Sequence, residues 1–117
     1  MNKILLVDDE EGTQLLYREV LEEDGYEVHS ALTGEDALQK LKVVSPDLVI
    51  LDIKMPGMSG IEVLRQIKGK NPKMPVILNT GYHEYQQVIG AWASDDYIVK
   101  SADLDDLKAA VRRHLQC

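Results

Sequence analysis

The chain has 117 residues, 44% hydrophobic and 28% charged, with 20 acidic side chains against 13 Lys and Arg for a formal net charge of -7. That length suits one domain, residues 1–117, able to bury a core without staples, and the single cysteine, Cys117, forms no internal disulfide. The acidity argues against sequence-independent nucleic-acid binding, which needs surplus Lys and Arg, and against an anionic membrane surface; no apolar run is long enough to span a bilayer.

In chain order, the branched run Ile4–Val7 predicts a first strand, with no room ahead of it for a leader peptide. A soluble, cytoplasmic protein is the expectation. Leu16, Tyr17, Val20 and Leu21 form an i, i+1, i+4, i+5 stripe that predicts a helix closed by Gly25. Glu27–Ala31 is a weaker strand. Thr33, with Asp36 three residues on, resembles a capping box ahead of Ala37, Leu38 and Leu41. Leu48–Leu51 is the third strand, and Ser59 with Glu62 opens a helix through Leu64 and Ile67. Val76–Leu78 is the fourth strand; a poorer helix from Glu84 to Ala93 is weakened by Gly90. Tyr97–Val99 is the fifth strand, before a helix through Leu104, Leu107, Val111 and Leu115 with Asp103 as its N-cap.

The order is (βα) five times, an α/β fold. Runs without polar alternation suit a parallel sheet covered on both faces, whose chemistry collects beyond the C-terminal strand ends. Those ends carry Asp8-Asp9, Asp52, Asn79-Thr80-Gly81 and Lys100, whereas the second strand ends in Ala31-Leu32. A flavodoxin-like sheet in the order 2-1-3-4-5 brings all the polar ends into one cleft. Three converging carboxylates repel unless protonated or neutralised by a divalent cation, and an all-oxygen set suits Mg²⁺. With Lys100 as a cation and the Thr80 hydroxyl as a donor, the set matches what a transferring phosphoryl group needs. Asp52, alone on a central strand, is the best nucleophile for an aspartyl-phosphate. Singly, each acid reads equally well as a helix cap; Glu10 and Glu11 read as first-turn charges only.

The segments Ile4–Glu10, Asp47–Gly60 and Asp95–Lys100 resemble the response-regulator receiver domains of bacterial two-component signalling, over essentially the whole chain. The resemblance implies that Asp52 accepts a phosphoryl group from a histidine kinase or phosphotransfer protein. It implies Mg²⁺ held by Asp9, Asp52 and the main-chain carbonyl of Lys54, with Asp8 acting mostly through water. Lys100 would pair with the phosphate, Thr80 would swing to hydrogen-bond it, and Tyr97 would move inward with Thr80. Pro56, Gly57 and Gly60 fit the tight loop after the nucleophile strand, proline fixing φ and glycine permitting positive φ. Output would be a changed surface around the fourth helix, fifth strand and fifth helix, read by a downstream effector domain or protein. The domain would contact no nucleic acid or membrane itself, and the resemblance admits a phosphorylation-dependent dimer. It implies no enzymatic activity beyond self-catalysed phosphotransfer and autodephosphorylation.

Ser101 departs from the family's usual proline after the strand-5 lysine. A cis bond to a non-proline residue costs about 2.5–4 kcal/mol, so a trans Lys100–Ser101 bond is expected. Trp92 reads most simply as helix packing and more sharply as a partner anchor. Tyr82 and Lys54 stand where side chains flank the phosphate in the family. His29, His83 and His114 lack metal-ligand spacing. Three other readings compete. A haloacid-dehalogenase-type Mg²⁺ phosphatase would carry Asp-x-Asp on its first strand, where this chain has adjacent acids. A flavodoxin would not place Asp8–Glu11 where phosphate binds. A docking-only receiver would normally have lost Asp52 or Lys100, and neither is missing.

Overall fold

The computed structural model describes residues 2–81, 95–100 and 104–115. Its elements are β1 (Lys3–Val7), α1 (Glu11–Glu23), β2 (Glu27–Ala31), α2 (Gly34–Val44), β3 (Leu48–Leu51), α3 (Gly60–Lys70), β4 (Val76–Thr80), β5 (Asp96–Val99) and a C-terminal helix (Asp105–Leu115). The expected fourth helix, with Tyr82, His83 and Trp92, lies outside the described residues, as do Ser101 and Asp103.

The strands pair in parallel in the order β2-β1-β3-β4-β5, as the strand ends had required. The unbroken apolar runs follow from burial on both faces. Successive side chains of a strand point to opposite sides. Ile4, Leu6 and Ile50 therefore pack with Tyr17 and Leu21 of α1 and with Leu107, Ala110 and Val111 of the C-terminal helix. Leu5, Val7, Val49 and Leu51 pack with Ala37 of α2 and with Val63, Leu64 and Ile67 of α3. Each such Leu or Ile contributes roughly 1.5–3 kcal/mol through burial.

The local signals locate the helix ends. The Thr33 hydroxyl accepts from the Asp36 N–H at 3.1 Å, and Ser59 from the Glu62 N–H at 3.4 Å, so both capping boxes start their helices. Gly25 sits just past α1 at φ 94°, a conformation glycine adopts without steric cost, and its N–H donates to the Glu22 carbonyl. Tyr17 and Tyr26 are core residues, and Met55, Met58 and Met74 pack against the second core layer.

The α1 stripe differs from its expected form. The buried positions are Gln14, Tyr17 and Leu21, whereas Leu16 is 50% exposed. Tyr17 and Leu21 fix the buried face, and the i−3 position on that face is polar Gln14. Of the expected stripe, Tyr17 and Leu21 are buried and Val20 half-buried; only Leu16 falls outside it, and apolar content alone missed Gln14.

Candidate functional site

The sheet's hydrogen bonding runs on into the residues just past its strands. The Asp8 N–H donates to Ala31, the Asp52 N–H to Val7 and the Lys100 N–H to Thr80, at 3.1, 3.0 and 2.7 Å. Strand register, rather than loop conformation, therefore sets where these side chains begin. Asp8, Asp52 and Thr80 are buried, at 2%, 6% and 0% exposure.

Lys100 is the hub. Its Nζ lies 2.7 Å from Asp8 Oδ2, 3.1 Å from Asp52 Oδ2 and 3.8 Å from Glu10 Oε1. Burial pushes the Asp52 carboxyl up; the Lys100 ammonium pulls it back without reversing the shift, and Asp8 adds to the rise. Burial alone would lower Lys100, but its hydrogen bond to Asp8 and the charges of Asp52 and Asp8 hold it above the ordinary lysine value. A low-dielectric setting magnifies both effects.

Carboxylate oxygens from Asp8, Asp9 and Asp52 lie within 4.8 Å of one another. Three oxygen donors at that spacing fit a hard divalent cation such as Mg²⁺. The adjoining cleft is lined by Asp9, Glu10, Asp52, Lys54, Met55, Pro56, Gly81 and Lys100. Thr80 closes the constellation from β4; its hydroxyl oxygen is buried without a hydrogen-bond partner among the described residues. Tyr97, opposite Leu78 in the β4–β5 register, is partly buried against the core.

The loop after β3 explains two glycines by different physics. Gly57 takes φ 76°, as the positive-φ expectation required. Gly60 does not; there a Cβ would stand 1.9 Å from the Asp52 carbonyl oxygen, and the Gly60 N–H donates to Ile53 at 2.8 Å. Close approach, not φ, demands glycine at 60, and the contact is with the backbone of Asp52 itself.

Asp8, Asp9, Asp52, Lys100 and Thr80 are thus gathered at the C-terminal end of the sheet, with exposed Lys54 on the cleft wall. Two nearby residues had no such reading from sequence. Glu10 is the α1 N-cap residue but its side chain makes no capping bond; it reaches toward Lys100 instead. Its place in an acidic run after the first strand was the available signal. Gln14 is buried beneath Asp8, and only its disagreement with the apolar stripe marked it. Of the histidines, His29 meets Glu27 at 2.6 Å and His114 meets Asp96 at 3.2 Å.

Comparison with known proteins gives this geometry a family. The response regulator receiver domain model matches residues 4–112. The sporulation initiation phosphotransferase F of Bacillus subtilis is 37% identical, over 97% of this chain and 93% of that protein. The regulatory protein AtoC of Escherichia coli is also 37% identical, over 99% of this chain, which spans only 26% of AtoC. Among solved structures, the response regulator TrrA of Thermotoga maritima in complex with Mg²⁺-BeF superposes at a TM-score of 0.94. It is 46% identical and covers 98% of this chain and 100% of its own. TrrA bound to the histidine kinase ThkA gives a TM-score of 0.92, with 46% identity over 99% of this chain and 100% of its own. With the family model spanning nearly its full length, the chain belongs to the response regulator receiver family.

Proposed function

We propose that residues 1–117 form one receiver domain acting as a phosphoacceptor switch, with Asp52 as the acceptor. The observation that carries this is a buried Asp52 carboxylate in contact with Lys100 and grouped with Asp8 and Asp9. The donor is a histidine kinase or a phosphotransfer protein, a reading supported by the ThkA complex of the similar TrrA.

Asp9, Asp52 and the main-chain carbonyl of Lys54 would hold Mg²⁺ directly, with Asp8 mostly through water. Bound there, the ion would offset negative charge on the phosphoryl oxygens. An Asp52 carboxylate oxygen attacks phosphorus, the phosphorus–nitrogen bond of the donor phosphohistidine breaks, and its electron pair returns to the imidazole, which takes a proton from solvent. Lys100, already between Asp8 and Asp52, pairs with a phosphoryl oxygen. The Thr80 hydroxyl, without a partner among the described residues, donates to another. Tyr97 follows Thr80, and the surface around the expected fourth helix, β5 and the C-terminal helix changes for a downstream effector domain or protein. Phosphorylation adds about -1.5 to -2 charges at this point. Moving a population from about 99% inactive to 1% takes roughly 5.5 kcal/mol of differential binding.

On this reading the domain has no enzymatic activity beyond this self-catalysed transfer and its hydrolysis, works in the cytoplasm, and is able to form a phosphorylation-dependent dimer. Among the described residues no helix is long and apolar enough to cross a membrane. Incubation with acetyl phosphate and Mg²⁺, read by intact mass, tests the acceptor: a single phosphate adduct is expected on the wild type and none on Asp52→Asn. An equal adduct on the variant refutes the assignment.

A further inference from the structure

Gln14 is only 6% exposed, on α1, and its amide turns away from solvent onto the end of the sheet. Its Nε2 lies 3.0 Å from the Leu6 carbonyl, 3.0 Å from that of Asp8 and 2.9 Å from that of Ala31. Two N–H bonds thus serve three acceptors. The reverse amide orientation would set an oxygen against three carbonyl oxygens, so the hydrogen-bond pattern fixes which end is nitrogen. The amide oxygen, meanwhile, is buried with no partner among the described residues.

An apolar side chain of the same size would fill this position without an orphaned oxygen. An unsatisfied buried acceptor costs about 1–3 kcal/mol, so packing alone does not account for an amide here. What the amide does is fix the β1 end. The Asp8 carbonyl it holds belongs to the peptide joining Asp8 to Asp9, while the Asp8 N–H is held by Ala31, whose carbonyl Gln14 also contacts. Rotation of that peptide would swing the Asp9 side chain away from Asp8 and Asp52.

We propose that Gln14 is a positioning residue for the acidic pair: by clamping the Asp8–Asp9 peptide from below, it presets the carboxylates to receive a divalent cation. The inference rests on the reading of the cluster as a Mg²⁺ site.

Titration calorimetry with Mg²⁺ on the metal-free chain tests it, comparing wild type, Gln14→Met and Tyr17→Leu. Tyr17 is buried on the same helix face in the apolar cluster with Ile4, Leu6 and Leu21, so Tyr17→Leu controls for lost stability. Loss of an outer partner of a metal ligand typically weakens binding about 10–100-fold. At least a tenfold rise in Kd is expected for Gln14→Met, and a wild-type Kd for Tyr17→Leu, with both chains shown to be folded by circular dichroism. An unchanged Kd in Gln14→Met, or equal weakening in both variants, overturns the proposal. A measurement on the unaltered chain guards against misfolding of the variant. The side-chain NH₂ resonances of Gln14 are expected to shift during the Mg²⁺ titration with the midpoint of the Asp9 backbone amide, and static resonances overturn the clamp. A wild type that takes up no Mg²⁺ overturns the metal-site reading itself, and the clamp with it.

Discussion

Thr80 and Asp52 are both buried at strand ends, yet they stand in opposite electrostatic positions. Among the described residues the Thr80 hydroxyl has no partner, so they give it no hydrogen-bond energy. Thr80→Val, which keeps the shape and removes the orphan, is expected to leave stability unchanged or to raise it by up to about 1 kcal/mol in urea denaturation. A loss of more than about 1 kcal/mol would mean that the hydroxyl is bonded in the resting state. The same variant should still take phosphate at Asp52 but lose the phosphorylation-dependent change in structure. Asp52 is raised by burial, with Asp8 adding to the rise and Lys100 only partly offsetting it. A carboxyl whose pKa is higher in the folded chain favours the protonated fold. Its ionisation therefore subtracts stability as pH rises from the unfolded value, about 3.9, through the folded one. Asp52→Asn is expected to be more stable than wild type at pH 7, with the gain shrinking as pH falls below that window; urea midpoints across pH check it. No gain at pH 7 would mean that the Lys100 attraction outweighs burial.

At the scale of elements, the β3–α3 connection is the tightest point of the site. The Gly60 position touches the Asp52 backbone, and a Cβ there at 1.9 Å forces the loop or the strand end to move. Overpacking of this kind typically costs 1–3 kcal/mol, and here the obstacle is backbone, so Gly60→Ala should cost about 3 kcal/mol or more. Thermal denaturation measures that loss, and a variant within about 0.5 kcal/mol of wild type would show that the loop can yield. The β5 end is joined differently. Burial would raise the Asp96 carboxyl, but the Arg113 guanidinium and His114 hold it below the usual carboxylate range, tying β5 to the C-terminal helix. That contribution is present above the unfolded carboxylate pKa and fades as pH falls through the folded one, opposite in sign to Asp52.

For the whole molecule, the net charge of -7 acquires a place: three of its acids meet in one cleft, with Lys100 offsetting two of them. A ligand that binds only the folded chain stabilises it by about 2.7 kcal/mol at a hundred times its Kd. Added Mg²⁺ is therefore expected to raise the melting temperature of the wild type, and Asp9→Asn to abolish most of that shift; equal shifts in both would place the ion elsewhere. The order of the strands and of the described helices, the two capping boxes and the four polar strand ends were legible in the sequence, because each is a local pattern of burial or turn chemistry. The same locality explains why the cleft could be assembled on paper: a parallel sheet in the order 2-1-3-4-5 leaves those ends no other place to meet. Only the tertiary structure decided that Gln14 occupies the buried face of α1, that Glu10 turns toward Lys100, and that Gly60 answers to the Asp52 carbonyl. Each of these depends on groups brought together from separate elements, where unmet carbonyls and close backbone contacts leave no trace in the periodicity of any single segment.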